Sequence, residues 1–302
     1  MQRIVFRQSR WQRACAWIWV FCAVDVPAQS PAEQDVWRPA YEYPYPAALA
    51  PEVFAARRAR VMQYLGPRSL LLVFAAEPRI RSGDVFYPYR QSNWLWYLTG
   101  VPEPNAVLLL TPRGIVVDTQ RLTELLGIPE RNSLHERWEG ARMGPEEAPR
   151  IVGLPALARP QFDSLLHRIL PDFDTLYVAA YPTPGLRLPL SGRVLFSERL
   201  EREWLQERFP HLVLRHGFPP LAQLRARKDT MEIRLLRHAI SITGQALRQL
   251  WAQARPGMGE WELQAILEAE MRKLGAEGPA FPTILASGPN ACILHYTGSR
   301  RR

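Results

Sequence analysis

Residues 69–76, SLLLVFAA, are continuously apolar and bounded by Pro67 and Pro78. A run that short, punctuated that way, reads as a strand buried on both faces. Upstream, Pro51 suits the first turn of a helix, Phe54, Val61 and Leu65 share one face, and Gly66 suits its stop. Downstream, 106–110 and 115–118 flank Thr111-Pro112-Arg113-Gly114, whose proline and glycine fit a type I turn. A hairpin is therefore predicted over 106–118. Further strands are predicted at 175–180 and 211–215, and helices at 155–170 and 198–209. Strands alternating with helices predict a three-layer α/β domain over 48–217.

Beyond residue 217 the texture changes. Asp229 with Glu232 three positions on predicts a capping box. Leu236, Ala239, Ile240, Thr243, Leu247 and Leu250 follow as an apolar stripe at helical spacing, which Arg255-Pro256-Gly257 ends. A second helix is predicted over 259–274, stopping at Gly275. Two strands, 281–286 and 292–296, joined by Ser287-Gly288-Pro289-Asn290, would then form a hairpin. Residues 218–302 thus read as the opening of a second domain.

With 302 residues, 47% hydrophobic and 22% charged, the chain holds two domains with ordinary cores. Its 28 prolines favour a mixed fold with many turns over a helical bundle. The net charge of +9 suggests nucleic acid only until its location is considered. Removing Arg3, Arg7, Arg10, Arg13 and Asp25 takes it to +6, and removing Arg300, Arg301 and Arg302 takes it to +3. What remains lacks the basic, aromatic-interleaved stripe that would cradle a phosphate backbone. No nucleic-acid partner is predicted.

The four arginines precede an apolar stretch over 14–24, and Val26 and Ala28 stand at the −3 and −1 positions of a cleavage site. Residues 1–28 are read as a signal peptide that exports the chain to the periplasm or the exterior. The stretch is too short to span a bilayer, so no membrane attachment is predicted after cleavage. Residues 29–47 read as a Pro/Ala/Tyr-rich linker. Cys15 and Cys22 would leave with the leader, making an intramolecular disulfide impossible in the mature chain. The remaining Cys292 stands in an apolar run and reads as a small buried hydrophobe.

No G-x-S-x-G, Walker A, G-x-G-x-x-G, C-x-x-C or H-E-x-x-H pattern is present. His135, His167, His211, His216 and His238 share no metal spacing. Phe86, Trp94, Trp96 and Tyr97 read as core and subunit contact rather than a ligand box.

Several stretches resemble the bacterial aminopeptidase P (Xaa-Pro aminopeptidase) family. They are Tyr87-Pro88-Tyr89-Arg90-Gln91-Ser92-Asn93, Trp96-Tyr97-Leu98-Thr99-Gly100, Pro102-Glu103-Pro104-Asn105-Ala106 and Glu136-Arg137-Trp138-Glu139-Gly140-Ala141-Arg142, with Gly144-Pro145-Glu146-Glu147-Ala148 after them. In the second domain they are 225–237 (RARKDTMEIRLLR), Arg255-Pro256-Gly257-Met258, and Ser287-Gly288-Pro289-Asn290 leading into Leu294-His295-Tyr296-Thr297.

The resemblance implies a creatinase/aminopeptidase P-type N-terminal domain, then the start of a pita-bread α+β catalytic domain. It implies a metallopeptidase that removes the residue preceding proline from peptides, using two divalent ions, usually manganese. Two Asp, one His and two Glu bind them in the family, donors that suit hard divalent ions, and the metal-bridging water attacks the scissile carbonyl. The first ligand Asp follows soon after the His-Tyr-Thr motif, yet here Gly298-Ser299 and three arginines follow. None of the five ligands is present, so the chain reads as C-terminally truncated and inactive alone. The resemblance gives His295 a contact with substrate or intermediate. It gives Trp138 a place in a neighbouring subunit's site, and hence a homo-oligomer. Alternatives are a non-catalytic oligomerisation or binding protein built on the N-terminal domain, and a prolidase or creatinase relative.

Overall fold

The computed structural model describes residues 50–179, 186–187, 194–195 and 197–302. The predicted signal peptide and linker lie outside the described residues. The chain divides into two compact units, whose described parts are 131–142 and, in the larger, 50–130 with 143–302.

The larger unit begins with α1 (Pro51–Met62), β1 (Ser69–Phe74), β2 (Ile80–Ser82), β3 (Val85–Phe86), α2 (Asn93–Thr99), β4 (Val107–Val117) and β5 (Gln120–Ile128). Helix α3 (Ser133–Glu139) belongs to the smaller unit. The larger unit continues with α4 (Ala148–Val152), β6 (Ala156–Ala158), α5 (Arg159–Ile169), β7 (Thr175–Ala179), β8 (Leu186–Arg187) and β9 (Val194–Leu195). Then come α6 (Ser197–Arg208), β10 (Val213–His216), α7 (Phe218–Ala226), α8 (Thr230–Gln253) and α9 (Glu260–Lys273).

A six-stranded mixed sheet runs in the order β10-β7-β1-β4-β5-β6, with the predicted strand β1 near its middle. Alternate residues of β1 serve opposite faces. Leu70 and Leu72 join Val107, Leu109, Leu125, Phe162 and Phe173 in one core cluster, against which Leu205 of α6 packs. Leu71 and Val73 are equally buried. They face the opposite layer, where α1 and α2 contact β1 and β4. The three-layer expectation is met. Arg58 of α1 is fully buried among these apolar residues, donating to Glu124 Oε2 at 2.8 Å and to the Leu98 carbonyl at 2.9 Å. Those bonds are what permit a charge so deep.

Four local expectations are corrected. The hairpin predicted over 106–118 is one strand, β4, carrying a bulge: 111–114 stand opposite Thr123 alone, between the pairs Leu110–Glu124 and Ile115–Leu122. Gly114, at φ +73°, supplies the backbone the bulge needs. The true turn is at Asp118, also at positive φ, and leads into β5. Secondly, the helix predicted over 155–170 starts at Arg159, because 156–158 is taken up in parallel pairing with β5.

Thirdly, the stripe on α8 is displaced: Ile242, Ala246 and Leu250 are buried, whereas Leu236 and Ile240 are exposed. Among the described residues α9 is the main partner of α8, packing along it through Leu267, so only a narrow face is covered. Fourthly, 281–286 and 292–296 are not strands; the segment is irregular, with a 3₁₀ turn at Gly288–Cys292. Cys292 is accordingly exposed rather than buried.

Candidate functional site

The Tyr87–Asn93 motif organises backbone. Gln91 Oε1 accepts from Ala76 N (2.9 Å), Ser92 N (2.7 Å) and Tyr89 Oη (2.9 Å). Its Nε2 donates to the carbonyls of Val101 (3.1 Å) and Glu103 (2.8 Å). An amide both accepts and donates, so this one side chain joins the end of β1 to the segments before and after α2. Helix α2 stops at Gly100 in the left-handed conformation. Of the aromatic cluster, Tyr97 is buried and Trp94 lies beneath the Arg225 guanidinium, 4.9 Å from its ring centre. Phe86 is half exposed on the β2–β3 hairpin.

In the smaller unit, Asn132 caps α3 by accepting from Leu134 N (2.9 Å) and His135 N (3.2 Å). Glu136 is buried and receives Arg131 through two bonds of 2.7 and 2.9 Å, together with Arg142 N at 3.2 Å. Glu139 pairs with Arg142. Two positions beyond Glu136, on the outward side, Trp138 is 90% exposed. An indole that open is surface presented rather than packed.

His295 lies in the larger unit, exposed on the loop over 287–301. That loop is held by α9. Glu260, buried at the start of α9, accepts at Oε1 from Ser287 N (2.7 Å) and Ser287 Oγ (2.9 Å), and at Oε2 from Tyr296 Oη (2.8 Å) and Arg301 N (2.9 Å). Burial pushes its carboxyl upward, but the bonds from Arg301, Tyr296, Ser287 and Asn290 outweigh this and hold it at about 2. Further along α9, Glu268 accepts from Thr283 Oγ1 (2.6 Å) and Gln264 Nε2 (2.8 Å), which lower its carboxyl below the usual range. The segment after α9 is thus tied to that helix by two carboxylates, through Thr283 at one and through Ser287, Tyr296 and Arg301 at the other. Sequence reading found α9 but not these two acids, whose spacing of eight places them on one helical face. Gly288 suits this position by its φ of +50°, a conformation that side chains rarely adopt.

Among the described residues no group of three or more His, Cys, Asp and Glu side chains is placed to hold a metal ion. A cavity of about 610 Å³ between α8, α9 and 276–284 is lined by Ile242, Leu247, Leu267, Met271 and Phe281, with His238 its one imidazole and no carboxylate. These residues do not fit a divalent ion, whose usual donors are oxygens.

Residues 54–177 match the aminopeptidase P N-terminal domain, and 234–302 match metallopeptidase family M24. The chain is 35% identical over 263 residues to the Xaa-Pro aminopeptidase of Haemophilus influenzae, covering 86% of this chain and 56% of that protein. It is 33% identical over 250 residues to the Xaa-Pro aminopeptidase of Escherichia coli, covering 82% and 55%. The structure of E. coli aminopeptidase P with the inhibitor Pro-Leu superposes with a TM-score of 0.70 at 31% identity, over 83% of this chain and 56% of that one. The chain therefore spans a little over half the length of these relatives.

Proposed function

The chain belongs to the aminopeptidase P family, and from that we propose that it serves removal of the N-terminal residue preceding proline in peptides. What carries the reading is the order of two family matches along one chain, at 33–35% identity to relatives named for that activity. The metal chemistry is that of a divalent pair, with manganese the ion of choice; among the described residues no group is placed to hold it, and on this reading the 302 residues do not turn over substrate by themselves. His295, exposed on its loop, contacts the substrate or the reaction intermediate. Trp138 projects from α3 into the site of a neighbouring copy in a homo-oligomer, a role its exposure favours. Residues 1–28 direct export, and the mature chain acts in the periplasm or outside the cell.

Two assays test this. The 302 residues supplied with manganese should release nothing from an Xaa-Pro peptide above background. A chimera in which 48–302 replace the corresponding part of E. coli Xaa-Pro aminopeptidase should cleave Xaa-Pro peptides in a manganese-dependent way and spare peptides without proline. A folded, metal-loaded chimera without turnover would refute the reading.

A further inference from the structure

Glu260 is not needed as a helix cap. Glu262 does that work, its carboxylate accepting from Gly259 N at 2.6 Å. Glu260 turns instead to the loop, and it closes both ends: Ser287 at the start and Arg301 at the finish bond the same carboxylate, while Glu260 N donates to the Arg301 carbonyl at 2.8 Å. A carboxylate offers about four acceptor sites, and here they are saturated by donors from a single loop. Between those ends, Tyr296 Oη donates to Glu260 and also accepts from Asn290 Nδ2 (3.0 Å) and Arg300 N (3.1 Å). The phenol is fixed from three sides. Its immediate neighbour in the chain is His295, which lies inside a segment tied to α9 at Ser287, Tyr296 and Arg301.

We propose that Glu260 is a positioning residue for His295: its buried carboxylate gathers Ser287, Tyr296 and Arg301 and so sets the backbone from which the imidazole projects. This rests on the reading of His295 as the substrate-facing residue. The low carboxyl value noted above agrees with it, since an ionised acceptor is what the donors demand.

The test uses the full 302-residue chain labelled with ¹⁵N-histidine, whose six histidines give one reporter on the loop and five elsewhere. The His295 peak is assigned by its loss in His295→Gln. In the native chain its amide order parameter should be about 0.85, and in Glu260→Gln below about 0.6, with the other five unchanged. A general loss of stability would move all six together. Should Glu260→Gln fail to fold, Tyr296→Phe leaves the carboxylate and its bonds to Ser287 and Arg301 in place and reads the same amide. An unaltered His295 order parameter in a folded Glu260→Gln, or in Tyr296→Phe where the former is unfolded, overturns the proposal. That result is independent of the chimera's turnover, so a failure of the peptidase reading and a failure of this one are told apart.

Discussion

Arg57 on α1 grips Asp229, the residue that caps α8, although 172 positions separate them. Its Nη2 lies 2.9 Å and its Nε 3.2 Å from Asp229 Oδ2, while Nη1 donates to the Tyr97 carbonyl at 3.2 Å. The same aspartate accepts Glu232 N at 2.8 Å through Oδ1, so one carboxylate both starts α8 and ties it to α1. Burial works against its charge, but the bonds from Glu232 N and Arg57 prevail and its pKa is lowered. Asp229→Asn keeps an N-cap and loses this ion pair, whereas Asp229→Ala loses both and leaves the buried guanidinium with only Glu232 at 3.8 Å and the Tyr97 carbonyl as polar partners. Urea titration should show Asp229→Ala losing about 2–4 kcal/mol and Asp229→Asn distinctly less. Equal losses would mean that the cap contributes nothing.

Gln91 uses both ends of its amide, and no other side chain has that pattern at that length. Gln91→Glu keeps the acceptors but turns a carboxylate toward the carbonyls of Val101 and Glu103. It should cost as much as Gln91→Ala or more, each on the order of 2–4 kcal/mol in the same titration. A Gln91→Glu chain as stable as the native one would show that those carbonyl bonds are dispensable.

Glu136 and Trp138 are two positions apart and should respond in opposite ways. Glu136→Ala removes the carboxylate that accepts from Arg131 and from Arg142 N and should destabilise by about 1–3 kcal/mol. Trp138→Ala removes a side chain that is 90% exposed and should alter stability by less than about 0.5 kcal/mol. If Trp138 serves a neighbouring copy, its loss should appear in sedimentation as a lighter assembly rather than in the denaturation midpoint.

The carboxyl of Glu260 is lowered from 4.5 to about 2 on folding. A depressed carboxyl stabilises the fold above its unfolded value, and that contribution fades as pH falls toward the folded value. The advantage of the native chain over Glu260→Gln should be complete above about pH 5 and shrink steadily toward about pH 2.5. Denaturation midpoints of the two chains at several pH values in that window give the answer; a constant gap would mean that Glu260 is not the ionised acceptor.

How much of this was legible beforehand depends on how local the deciding interaction is. Strand β1, the start of α1 and the Asp229–Glu232 box follow from residues within a few positions of one another, and they were found. The β4 bulge was not, because Thr111-Pro112-Arg113-Gly114 has the composition of a turn, and only pairing with β5 shows that the strand continues through it. The segment after α9 was misjudged for the same reason. Its apolar residues have strand character, but Ser287 N and the Thr283 hydroxyl tie it to Glu260 and Glu268, which lie on the preceding helix. Of the candidate site, the resemblance of short motifs supplied His295 and Trp138. Glu260 carries no signal in spacing, since its partners are scattered over 287–301.

The order of strands in the sheet also bears on synthesis. The segment just ahead of β1 bonds to the one just ahead of β7, Arg68 to Asp174, across 106 residues. At roughly 5 to 20 residues per second, one edge of β1 emerges from the ribosome roughly 5 to 20 seconds before its parallel neighbour exists. Through that interval the β4–β5 hairpin can shield only the other edge. A nascent chain paused before residue 175 should therefore be the form most prone to capture by chaperones or by its own kind.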